Sequence, residues 1–558
     1  MNLQKIKESD LRQIDIVKIY ADKKCLVVDD FPEIRGSLSR MLRIFGASVV
    51  DTAANGEDAI GLCRKKKYDI VLCDYNLGAG KDGQQVLEEL RLLRILLMTS
   101  LFVMVTGESS REMVLGALEC QPDDYITKPY TQASLKVRMD KAIIRHQALL
   151  PIKKAISDSD YQKALEICDD MINEGGRYNT ECVKMKGQLH FMLGEFEHAK
   201  TLFESVLSRK PLVWAKLGLS RTLKELGDDI AAEALCREII AEDERYVEAH
   251  ELLAEIFEAR RDSIAAQKAT ESATSISPKS VLRHRKLAQL SEQNHDDDIA
   301  LKSHQQAIKW GANSCHESEQ DYFNYARKIS DVIKGDKSTQ AKVMAKQATS
   351  YLDRARKRYA GKPEIAAQAQ MVETQIHLSR GSEEDASKSM KKARQLYAGL
   401  PTPNVDTSLE FARTLHALQN HDEARDLLVT LAAEHSADSK VLQVIDGITD
   451  EPISQAGKEV AAKLTKEGIS SYDQKVYGDA IKVFNEALAN YPKHIGLHLN
   501  LIQAITADTS ESGYREDYAA MCKRSIRVVG ALPQGHKQYE RYQFLHKQLQ
   551  KHYPEVVT

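Results

Sequence analysis

The sequence predicts two architectures in series: an α/β doubly wound five-stranded parallel sheet, then an all-α helical solenoid. Three observations predict it. Short apolar runs ending in acidic or turn residues alternate with amphipathic stretches as far as residue 146, strand signals stop beyond Pro151, and small residues then recur at near-constant intervals.

The strands in order are CLVVDD from Cys25, SVVDTA from Ser48, DIVLCD ending at Asp74, LFVMVT ending at Thr106 and DYIT from Asp124. Helical patterns start at Pro32, after Asn55, near Gln84 to Arg94, after Gly107 and after Thr131. Apolar strands bounded by turn residues and separated by amphipathic helices imply a parallel sheet covered on both faces. In such sheets the ligand site lies at the carboxyl ends of the strands. Asp29 and Asp30 end the first strand, Asp74 the third and Thr106 the fourth, and Lys128 follows the fifth.

These residue types suit the handling of a phosphoryl group. Clustered carboxylates repel one another unless a hard divalent cation neutralises them, and an all-oxygen set suits Mg²⁺. Asp74 can then act as a nucleophile toward phosphorus, with Lys128 supplying a mobile ammonium and Thr106 a hydroxyl for a phosphoryl oxygen. At these five positions, with Pro129 after the lysine, the chain resembles the CheY-like receiver domain of bacterial two-component response regulators over about residues 24 to 146.

That resemblance implies that Asp74 is the phosphorylation site. It further implies that Asp29, Asp30, Asp74 and the backbone carbonyl of Asn76 hold Mg²⁺, that Thr106 and Tyr125 are the switch pair, and that Pro129 follows a cis bond. The implied partner is a histidine kinase or histidine phosphotransfer protein, with no enzymatic turnover beyond the receiver's own phosphorylation and dephosphorylation. One departure is Gly107, where the family usually has alanine.

Beyond Pro151 the small residues fall at Ala164, Ala199, Ala232, Ala266 and Ala300, then at Ala348, Ala386 and Ala424, with a final unit at Ala480. The last unit runs EGISSYDQKVYGDAIKVFNEALANYP, with Gly468, Tyr477, Ala480, Phe484, Ala487 and Pro492 in step. Alanine is needed where paired helices approach closely, and proline ends the second helix. This resembles the tetratricopeptide repeat, with longer helices in the middle block. The expected organisation is a leader at 1–23, a receiver at 24–146, repeats at 147–311, longer repeats at 312–434, and a joint, a final unit around 463–495 and capping helices at 435–558.

Composition narrows the classes of function. The chain has 558 residues, 28% of them charged, and a net charge of -3. Residues 24–145 hold 17 basic and 17 acidic side chains, so no nucleic-acid-binding stripe is predicted there. Nine cysteines with no CxxC pair and no His/Cys cluster at ligand spacing predict neither a disulfide framework nor a zinc site. No run reaches the roughly 18 apolar residues a membrane span needs, and the first residues lack a secretory core, so a cytoplasmic location is expected. His284, His295 and His304 lack the pairing of metal ligands.

The function these features predict is a phosphorylation-controlled adaptor whose repeat groove binds a protein partner still to be identified. The receiver's last face is also a candidate surface for a homodimer. Two alternative outputs stay open. One is RNA or DNA binding by the basic, aromatic segment Gly535 to Pro554, whose Tyr539, Tyr542, Leu545 and Leu549 equally form an apolar stripe that would cap the helices. The other is a phosphate sink in a relay. The helix after Thr131 runs into the first repeat without a Gly/Ser linker, which would let the two parts communicate mechanically.

Overall fold

The computed structural model describes residues 16–107, 122–530, 532 and 534–557. The helix expected after Gly107 and the first part of the leader lie outside the described residues. The chain divides into two compact units, one of Met1–Ile256, Lys268–Arg283 and Trp310–Glu317, the other of Phe257–Gln267, His284–Lys309 and Ser318–Thr558.

Among the described residues the first unit holds, in order, helix α1 (Ile16–Ala21), β1 (Lys24–Val28), α2 (Pro32–Phe45), β2 (Val49–Ala53), α3 (Gly56–Lys65), β3 (Ile70–Asp74), α4 (Gly83–Leu92), β4 (Leu101–Thr106) and β5 (Asp124–Thr127). The strands are all parallel in the order β2-β1-β3-β4-β5, with Val27 opposite Leu72 and Asp74 opposite Val105. Because strand side chains alternate, successive residues feed two cores. Val27, Leu72 and Val103 pack with α2, whereas Leu26, Val71 and Phe102 pack with α3 and α4.

Local sequence sets the helix starts. Pro32 occupies the first turn of α2, Asn55 accepts from the Asp58 backbone N–H at the start of α3, and Asp82 and Gln85 form a reciprocal capping box on α4. Part of the expected leader belongs to the domain: Tyr20 of α1 is fully buried, and its hydroxyl donates to Asp140 at 3.1 Å.

Helix α5 (Gln132–Ser157) serves two cores. Leu135, Met139, Ala142 and Ile143 pack under the sheet, while Leu149, Ile152 and Ala155 pack with the helices Tyr161–Glu174 and Asn179–Met192. The expected junction at 146/147 and Pro151 both lie inside this helix. Proline forgoes one intrahelical hydrogen bond, and burial of its neighbours on both sides keeps the helix continuous.

From α5 onward every described element is a helix, and the region is consistent with a helical-repeat solenoid. All nine marker alanines are buried, each on the second helix of a pair. In the first unit the Phe203 ring sits where a side chain on either Gly187 or Gly218 would collide with it, at 2.6 and 2.5 Å. In the second unit Phe484 stands against Gly468 at 2.4 Å by the same measure, at the same offset in sequence.

The middle helices are longer, as the wider spacing requires: Thr339–Arg358 has 20 residues, against 14 in Asp229–Glu242. Leu545 and Leu549 of the C-terminal stripe are buried in the second unit's core with Tyr542 beside them. There too, His304 meets Glu292 at 2.8 Å and His295 lies against Arg524.

Candidate functional site

The site forms where the sheet order reverses, between the ends of β1 and β3. Asp29 is fully buried, Asp74 nearly so, and Asp30 half-buried. One carboxylate oxygen from each lies within 4.8 Å of the others. Lys128 Nζ closes the cluster, donating to Asp29 Oδ2 at 3.0 Å and lying 3.1 Å from Asp74 Oδ2. The peptide bond between Lys128 and Pro129 is cis, as the resemblance implied.

Backbone groups hold the carboxylates. The Phe31 N–H donates to Asp29 Oδ1 and the Tyr75 N–H to Asp74 Oδ1, both at 2.9 Å. Asp30 Oδ1 is buried yet has no hydrogen-bond partner among the described residues. A buried carboxylate oxygen without a donor is costly, and this one stands where three acidic side chains meet. The donor set therefore fits a hard divalent cation held by oxygen.

Charge and burial compete here. Burial pushes the Asp74 carboxyl up to about 6, Lys128 opposes the rise and Asp29 adds to it. Burial alone would lower the Lys128 ammonium, but its two carboxylate partners outweigh it and the net shift is upward.

The other expected site residues stand around this centre. Thr106 is buried at the end of β4, and its carbonyl accepts from the Lys128 N–H at 2.6 Å. Tyr125 lies on β5 opposite Met104, half-buried against the α3/α4 core. Asn76 is exposed in the loop after β3, its side-chain oxygen accepting from the Gly78 N–H. At Gly107 a methyl group would find its nearest neighbour among the described residues, Lys128 Cβ, at 3.9 Å.

The fold adds residues that sequence reasoning missed. Tyr75, directly after Asp74, accepts a hydrogen bond on its hydroxyl from Lys279 Nζ at 2.6 Å. The same ammonium lies 3.4 Å from Asp82 and stacks over the rings of Tyr75 and Trp310, 4.8 and 5.5 Å from their centroids. Lys81 donates to the Asn313 carbonyl, and Gln85 to the Ala312 carbonyl at 3.3 Å. The segment between β3 and α4 is thus gripped by residues some 200 positions away, and no local signal marks such contacts.

The response regulator receiver domain family matches residues 25–140. The chemotaxis protein CheY-3 of Vibrio cholerae is 34% identical over 128 residues, 22% of this chain and 92% of that protein. The chain belongs to the response regulator receiver family. PhoP of Bacillus subtilis, the alkaline phosphatase synthesis transcriptional regulatory protein, is 31% identical over 26% of this chain and 59% of its own length. The structure of a CheY-like receiver domain from Methanospirillum hungatei is 26% identical and covers 22% of this chain and 96% of that one, with a TM-score of 0.21. Membership in the receiver family implies exchange with a phosphodonor kinase or phosphotransfer protein. Among the described residues no helix is long and apolar enough to cross a membrane.

Proposed function

We propose that this receiver accepts a phosphoryl group on Asp74 from a histidine kinase or histidine phosphotransfer protein, and that its state controls protein binding by the helical repeats. Asp74 Oδ attacks the phosphorus of a phosphohistidine, the P–N bond breaks, and the imidazole leaves. Lys128 offsets charge on the transferred group, and the Thr106 hydroxyl donates to one of its oxygens. Asp29, Asp30, Asp74 and the Asn76 carbonyl would hold Mg²⁺, which supplies charge neutralisation. The observation that carries this reading is Lys128 bridging Asp29 and Asp74 beside the unmatched oxygen of Asp30.

The helical region acts as a tetratricopeptide-like scaffold, a reading supported by the nine buried alanines at repeat spacing. Lys279 carries the signal. It touches the hydroxyl of the residue that follows the acceptor, so a change at Asp74 reaches the helices through one side chain.

Incubating the full chain with acetyl phosphate and Mg²⁺ tests the chemistry. The expected result is one added phosphoryl group by intact mass, lost with EDTA and absent in Asp74→Asn. Phosphorylation of Asp74→Asn to the same extent would overturn the assignment. Affinity capture with beryllofluoride-treated protein then tests the output: a partner held in only one state supports control, and identical partners in both states refute it.

A further inference from the structure

The fold brings Glu88 to the adjacent pair Cys315 and His316, some 227 positions further along the chain. Glu88 lies on α4, and Cys315 and His316 lie in the loop after the helix Asp297–Gly311. A carboxylate oxygen, a thiol sulfur and an imidazole nitrogen from these residues all lie within 4.8 Å of one another. His316 Nε2 and Glu88 Oε1 are already 3.0 Å apart.

The loop is braced around them. The Asn313 N–H donates to Glu317 Oε2 at 3.0 Å, the Ser314 hydroxyl to the Gly311 carbonyl at 2.8 Å, and the His316 N–H to the Ser314 hydroxyl oxygen at 3.1 Å. Among the described cysteines Cys315 alone is not buried, so its sulfur is within reach of an ion from solution. Glu88 and His316 also line a half-open cleft of about 390 Å³ with Arg91, Lys279 and Trp310.

We propose that Glu88, Cys315 and His316 bind a zinc ion, with water from the cleft as the fourth ligand. The ligand chemistry separates this site from the acidic pocket of the same unit. Three carboxylates select a hard cation such as Mg²⁺, whereas one thiolate, one imidazole and one carboxylate form a mixed set that a borderline ion prefers. Three protein ligands and an open position make a tetrahedral site. Coordination uses the thiolate and the neutral imidazole, so binding releases the thiol proton and the proton between His316 and Glu88. A bound ion would fasten α4 to the loop.

The test uses the full chain with excess Mg²⁺ to occupy the acidic pocket. Cobalt(II) should give one thiolate-to-metal charge-transfer absorption per chain, displaced by zinc and absent in Cys315→Ser. Glu88→Gln should weaken zinc binding, measured against a chromophoric chelator, by roughly tenfold or more. In the unaltered protein zinc should also protect Cys315 from alkylation, followed by peptide mass mapping, which keeps the test independent of variant folding. A folded protein with no charge-transfer band, a band that persists in Cys315→Ser, or alkylation of Cys315 unchanged by zinc would each overturn the site.

Discussion

At Asp74, burial and charge set a pH dependence that can be measured. Its carboxyl is raised from an ordinary value near 3.8 to about 6, so the folded chain binds a proton there that the unfolded chain has already lost. In metal-free protein the stability this group contributes is therefore present below about pH 4 and lost as pH rises through 6. Mg²⁺ favours the ionised form, so its stabilising effect should grow over the same interval. Thermal melts at pH 5 and pH 7, with and without Mg²⁺, should show a larger Mg²⁺ shift at pH 7, and Asp74→Asn should remove most of the difference. The acidic residues and Lys128 were legible in the sequence because charged side chains at the ends of apolar strands have few structural explanations. Lys279 was not legible. A lysine in a turn between helices carries no mark of the tyrosine it will meet.

Among the elements, helix pairs approach closely enough to exclude side chains. Alanine usually stabilises a helix interior relative to glycine by about 0.5–1 kcal/mol, yet at Gly218 the added methyl would meet the Phe203 ring at 2.5 Å. The ring cannot retreat, because Gly187 bounds it on the other side. Overpacking of this kind costs about 1–3 kcal/mol, so the loss should outweigh the gain. Gly218→Ala is expected to lower the urea midpoint, whereas Gly176→Ala, with open space around it, should not. The helix pairs were readable because alanine recurs at near-constant intervals, with Phe203 and Phe484 each four residues beyond such an alanine. Helix α1 escaped sequence reading, since six residues in a charged segment give too little periodicity to register. Helix α5 continues through Pro151 because buried neighbours belonging to two cores hold it on both sides.

On the scale of the whole molecule, the grip on the segment between β3 and α4 gives a further expectation. Lys279→Ala removes the donor to Tyr75 and the charge beside Asp82. Amide hydrogen exchange in residues 76–82 should become faster in the variant. If the proposed signal from Asp74 passes through Lys279, any exchange difference between phosphorylated and unphosphorylated protein in the segments around Lys279 and Trp310 should shrink toward zero in the variant, with Asp74 still accepting phosphate. Helix α5 sets a different kind of limit. Each residue in a helix advances it by about 1.5 Å and turns it by about 100°, so one residue inserted between the half under the sheet and the half among the repeats would swing the following helices by more than a quarter turn. Seven inserted residues come within about 20° of restoring the phase. A flexible tether would let any receiver be exchanged for another. A continuous helix makes such exchange a question of angular register, and recombination between relatives would yield working proteins only where the count of residues through Pro151 is kept in phase.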